Sequence, residues 1–215
     1  MTRQIQIFLL LLVAVSTAVH AVDGDLDGSF GGDGIVSSNF GTGPQVARAV
    51  AAFPDGSILV GGSYGSASNT TDFYVVRYRA DGSIDGGWGE FGGQQVPVEI
   101  FVGGQDDLKT IVLDAAGAAV LLGTTAASGG ATLPGLARLT PEGDLDAGFG
   151  TGGIAVGDTY PWGGAKNTYG ATAHLDGFLF AGNCTACGSG NTDGFFLYRT
   201  LASGDPDPGF GSAGW

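Results

Sequence analysis

The chain has 215 residues, 42 of them glycine, and its eight Lys and Arg against twenty-one Asp and Glu leave a net charge of −13. Gly and Asp are poor helix formers and Lys and Glu are scarce, which excludes long helices, while 43% hydrophobic residues exclude a disordered chain. A phosphate backbone would meet a strongly acidic surface, so nucleic acid is not an expected partner.

Met1 to Ala21 reads as a secretory signal peptide. Arg3 supplies the basic start, Ile7 to Val15 the apolar stretch, and Val19-His20-Ala21 the residues before the cut. The apolar run is shorter than the ~20 residues that cross a bilayer. The expectation is a secreted protein, extracellular or periplasmic after cleavage near Ala21, with no membrane span left.

Beyond the leader the chain repeats. A lead motif, Asp25-Leu26-Asp27-Gly28-Ser29-Phe30-Gly31, returns as Ser83 to Gly89, as Asp144 to Gly150 and as Asp205 to Gly211, with Phe30, Trp88, Phe149 and Phe210 in register. Between these motifs, Arg77, Arg138 and Arg199 keep the same spacing. The turn and apolar run Asp55 to Gly62 is echoed at Ala116 to Gly123 and Asp176 to Gly182. Internal self-similarity of this kind signals a repeat architecture. The leader is followed by three repeats, 22–82, 83–143 and 144–204, and by the lead motif of a fourth at 205–215.

Within the first repeat, Gln45 to Phe53 alternates, Pro54-Asp55-Gly56 turns, and Ser57 to Gly62 is a short apolar run. Phe73 to Tyr78 is aromatic and β-branched, and Ala80-Asp81-Gly82 turns into a lead-motif strand around Ile84. The expected fold is all-β: tandem four-stranded antiparallel meanders, β-propeller-like, open or incomplete with about three blades. A β-solenoid is the competing architecture. Three repeat bodies with four lead motifs predict a chain that does not close alone: either it is a fragment of a longer array, or it self-associates with a second copy to complete the propeller at six blades.

The pattern Leu-Asp-x-x-Phe-Gly-x-x-Gly in the lead motif, the run Pro54 to Ile58, and Arg77 or Arg138 before a Gly turn resemble the delta-60 repeat family. That resemblance covers nearly all of 25 to 211. It implies a bacterial, exported, β-propeller-like protein with no assigned activity. The chain departs from the family pattern at Trp88, at Ala116 and at Pro206 and Pro208.

Asp85, Asp146 and Asp207 each lie eight residues after a repeat arginine and across a short turn from it. Three structural pairs are expected: Arg77 with Asp85, Arg138 with Asp146, and Arg199 with Asp207. The lead-motif aromatics are read as packing between blades. Asp23, Asp25 and Asp27 alternate like the start of a calcium loop. Position 34, where such a loop needs Glu, is Gly, so Asp-capped turns are the stronger reading and no cofactor is expected. Cys184 and Cys187 are a disulfide candidate in an exported chain. A zinc site lacks ligands, since His174 is the one histidine after the leader.

No nucleophile elbow, phosphate loop or metal triad is present, so no catalytic residue is assigned. The reading is a structural, binding or adhesion module that contacts protein or glycan through loops Ser63 to Thr71, Gly103 to Asp107, Thr124 to Pro134 and Tyr160 to Thr168. Tyr160 and Trp162 are the ligand candidates there. The alternative is a glycan-active hydrolase or lyase, or a calcium-binding repeat protein.

Overall fold

The computed structural model describes residues 24–65, 70–89, 96–100, 103–114, 116–126, 132–157, 166–185, 193–211 and 214. The leader, Asp23, Tyr160, Trp162 and Cys187 lie outside them. The described residues contain eleven strands and no helix: β1 (Gln45–Ala52), β2 (Ile58–Gly65), β3 (Thr71–Tyr78), β4 (Val96–Val98), β5 (Gln105–Leu113), β6 (Ala119–Ala126), β7 (Thr132–Leu139), β8 (Ile154–Val156), β9 (Lys166–His174), β10 (Gly177–Cys184) and β11 (Gly194–Leu201).

Consecutive strands pair antiparallel, giving the meanders β1-β2-β3-β4, β5-β6-β7-β8 and β9-β10-β11. A single parallel bridge, Thr71 with Gln105, joins the first to the second. Among the described residues no pairing leads from the third meander back to the first, so the sheet is open. Asp carboxylates cap the turns. Asp55 accepts the Ser57 N–H and hydroxyl, and Asp81 accepts the same two groups from Ser83. In the second repeat, where Ala116 replaces the turn Asp, Asp114 accepts the N–H groups of Ala116 and Ala118 instead.

The fourth strand is not where the sequence places it. Each of the last three lead motifs makes one bridge only, Tyr78 with Ile84, Leu139 with Leu145 and Thr200 with Pro206. The chain then turns immediately: Asp85 accepts the Gly87 N–H and Asp146 that of Gly148, which ends any strand. The outer strands are instead β4 and β8, which follow the motif and lie on the free edges of β3 and β7. A blade in space therefore begins and ends later than a repeat in sequence.

Two apolar layers hold the three blades together. Leu59, Phe73 and Val75 of the first blade meet Ile111, Leu121, Ala137 and Leu139 of the second, with Trp88 between them. The opposite face of the second blade, Val120, Leu122 and Leu136, meets Phe178, Phe180, Phe196 and Tyr198 of the third around Phe149. Strand β6 is consequently buried along nearly its whole length on both sides.

Candidate functional site

The lead motifs act as clasps between blades. Backwards, the N–H groups of Asp85, Asp146 and Asp207 donate to the carbonyls of Arg77, Arg138 and Arg199. Forwards, Gly31 N–H donates to Asp81 O, Gly89 N–H to Glu142 O and Gly150 N–H to Ser203 O, at 2.8 to 3.0 Å. The aromatic ring of the motif lies on the glycine of that next turn. A Cβ on Gly143 (φ +98°) would stand 2.7 Å from the Trp88 ring, and one on Gly204 (φ +90°) 2.7 Å from Phe149. Trp88 also donates its indole N–H to Pro141 O at 3.0 Å.

Each repeat arginine sits between two carboxylates, of which sequence spacing points to one. Arg77 lies 3.8 Å from Asp85 and 3.2 Å from Asp55; Arg138 lies 3.4 Å from Asp146 and 2.7 Å from Asp114. Arg199 pairs with Asp207 and lies 2.6 Å from Asp176. The second acid comes from the turn joining the first two strands of the blade. Such a constellation ties that turn to the lead motif.

The first lead motif differs from the rest. Asp27 aligns with Asp85, Asp146 and Asp207, and it accepts the N–H and hydroxyl of Ser29. Those two bonds hold its carboxyl below the usual carboxylate range. Among the described residues no group of three His, Cys, Asp or Glu is placed to hold a metal ion. Asp25 and Asp27 are exposed. Cys184 is disulfide-bonded, and Cys187, the other cysteine of the chain, lies outside the described residues.

The polar chemistry collects at the hub, on the innermost strand of each blade. β1, β5 and β9 each carry a bulge, at Arg48, Lys109 and Tyr169. The cause is opposite the bulge: Gly62, Gly123 and Gly182 face the innermost strand so closely that a Cβ would stand 1.8, 2.3 and 2.0 Å from a backbone carbonyl oxygen. Bulges re-aim side chains. Asp107 draws the hub together, accepting from Ser63 Oγ at 3.0 Å and Lys109 Nζ at 2.5 Å, with Arg48 Nε at 3.6 Å. Beneath it Asp106, fully buried, accepts from Thr125 Oγ1 and from the Ile100 N–H at 2.7 Å. Thr124 Oγ1 accepts the Thr168 N–H and ties β6 to β9.

Above these groups lies a groove of about 340 Å³, lined among others by Arg48, Ser63, Asp107, Lys109, Thr124 and Asn167. It also touches Gly65, Thr71, Gln105 and Thr132, so the described ends of all four variable loops converge on it. The sequence signal for this site is the glycine that recurs within each middle strand, and the residues it re-aims are Arg, Lys and Tyr. Because they share no chemistry, they escape a search for repeated residues. Among the described residues the groove offers two cations, one carboxylate and several hydroxyls, a set suited to holding a polar ligand.

Open meanders, inter-blade aromatic layers and clasping lead motifs define a β-propeller-like repeat protein. Residues 54–87 and 120–149 match the family model described as a domain of unknown function (DUF5122) beta-propeller. A search of curated proteins finds no match.

Proposed function

We propose that the chain is an exported module of the delta-60 repeat type that works by holding a ligand rather than by transforming one. The ligand class the hub suits best is a glycan bearing a carboxylate. The observation that carries this reading is the bulged hub, where Arg48 and Lys109 flank Asp107 in the groove on which the variable loops converge. A guanidinium and an ammonium suit a sugar carboxylate, and Asp107 and Ser63 suit sugar hydroxyls. Among the described residues that line it, the groove holds no histidine, cysteine or pair of carboxylic acids at glycosidase spacing.

Titration calorimetry of the mature chain against uronate-containing and neutral oligosaccharides tests this. Binding of the acidic sugars, lost in the Arg48→Ala Lys109→Ala double variant, is the expected result. Equal binding by that variant, or sugar released from the panel, overturns it.

A further inference from the structure

The three blades present the same face in turn, and the last presents it to solvent. Counting from the repeat arginines, Phe73 and Phe195 occupy one position, and Val75, Leu136 and Leu197 another. Phe73, Val75 and Leu136 are fully buried against the following blade, whereas Phe195 is 89% and Leu197 46% exposed. Leu59 and Leu179 repeat the contrast through their pairing with Arg77 and Arg199, the first fully buried and the second half-buried.

The opposite end carries the complementary face. Val50, Val60 and Val76 stand at the positions of Ile111, Leu121 and Ala137, which receive the first blade in the first apolar layer. Here they line an apolar cleft of about 530 Å³, partly roofed by Phe30, Val36 and Phe40. Val50 is exposed, as are Leu26 and Ile35 on the covering segment. Tyr74 beneath it has a buried hydroxyl without a hydrogen-bond partner among the described residues, and burial drives its pKa up. Both halves of an inter-blade joint, one donor face and one receiver face, are thus displayed by a single chain.

We propose that the third blade of one copy seats on the first blade of a second copy, repeating the joint that already operates twice within the chain. The contact is head-to-tail, so it propagates until a ring closes; two copies give six blades, within the closing range of propellers. The lead motif belonging to this joint is the one already lying on the first blade, with Gly31 bound to Asp81 O. In the joint its Asp27 takes the place of Asp207 beside Arg199 of the neighbouring copy, and the motif at Asp205 to Phe210 gives way. Of the four aligned acids Asp27, Asp85, Asp146 and Asp207, Asp27 is the one that no arginine of its own chain pairs with in any described ion pair. The inference rests on the propeller-like architecture and is independent of the hub ligand.

Light scattering coupled to size exclusion, with sedimentation over about 1 to 100 µM, tests it on the chain from Val22 to Trp215. Expected is a concentration-dependent mass reaching two copies. Phe195→Asp Leu197→Asp should hold the chain monomeric with an unchanged circular dichroism spectrum, since both side chains are exposed. Asp27→Asn should weaken association at least about tenfold, the equivalent of one charged hydrogen bond. A wild-type chain monomeric throughout, a face variant that still pairs, or an Asp27→Asn variant that pairs as tightly as wild type each overturns the proposal. Hub ligand binding is read separately, so the failure of one proposal does not mask the other.

Discussion

Phe73 and Phe195 stand four residues before a repeat arginine, on the third strand of a blade, and differ in everything that burial confers. Phe73 is sealed against the second blade with no exposed surface, while Phe195 is 89% exposed. The contrast teaches that a residue's position in the repeat sets its direction, and the neighbouring blade sets its worth. A blade alone has two apolar faces and no core; stability resides in the joints.

The sharpest way to break this comparison is to truncate both rings. Phe73→Ala should cost about 4 kcal/mol in urea unfolding, and Phe195→Ala less than about 0.5 kcal/mol at concentrations where the chain is monomeric. Similar losses would mean that the joint is not where stability lies. Next in size is the seat of the lead-motif ring. Gly143→Ala forces a Cβ against Trp88 at positive φ, and combining overpacking with backbone strain should cost about 3 kcal/mol. Gly152→Ala, also at positive φ but with open space around it, should cost about 1 kcal/mol. Differential scanning calorimetry of the two variants separates strain from contact.

The arginines sharpen the comparison from another side, because their partners lie within a blade and the motif that follows it. Arg138 has 29% of its side chain exposed and Arg199 13%. Arg138→Met should cost about 2 kcal/mol, less than a fully buried pair because solvent screens it. Arg199→Met should cost at least as much although its blade is the outermost one. An unchanged melting temperature for Arg138→Met removes the structural role of the pairs.

The smallest effect is a pH slope. The hydroxyls and N–H groups of Ser29, Ser57 and Ser83 lower the pKa of Asp27, Asp55 and Asp81. A carboxyl depressed in the folded state contributes stability above its unfolded pKa and loses it as pH falls through the folded value. Thermal melts should therefore drop modestly on going from about pH 5 to pH 2, and Ser57→Ala should flatten part of that drop. The same slope in Ser57→Ala would assign the acid loss elsewhere.

The period, the meanders, the recurrent aromatics and one carboxylate of each arginine pair were legible in the sequence, because each recurs as the same residue type at a fixed spacing. Three things were not. Asp114 does the work of Asp55 from two positions earlier than the aligned turn, so it looks like an absence. The outer strands β4 and β8 are three residues each and carry too little pattern to compete with the apolar Ile84 and Leu145 of the lead motifs. The hub bulges re-aim Arg48, Lys109 and Tyr169, whose side chains have nothing in common. Only the small residue facing each bulge, Gly62, Gly123 or Gly182, betrays them.

The offset between repeat and blade also bears on how such chains change length. A stretch cut from one lead motif to the next carries no whole blade, because β4 or β8 lies past the motif that ends the stretch. It does carry the motif's ring together with the turn glycine on which that ring rests, as in Trp88 with Gly143 and Phe149 with Gly204. A gene that gains or loses one such stretch therefore inherits a finished seam each time, and the sheets on either side are rebuilt from halves that already fit. Growth by whole seams supplies each added aromatic ring with its own glycine, which makes the number of blades easier to alter than the contact between them.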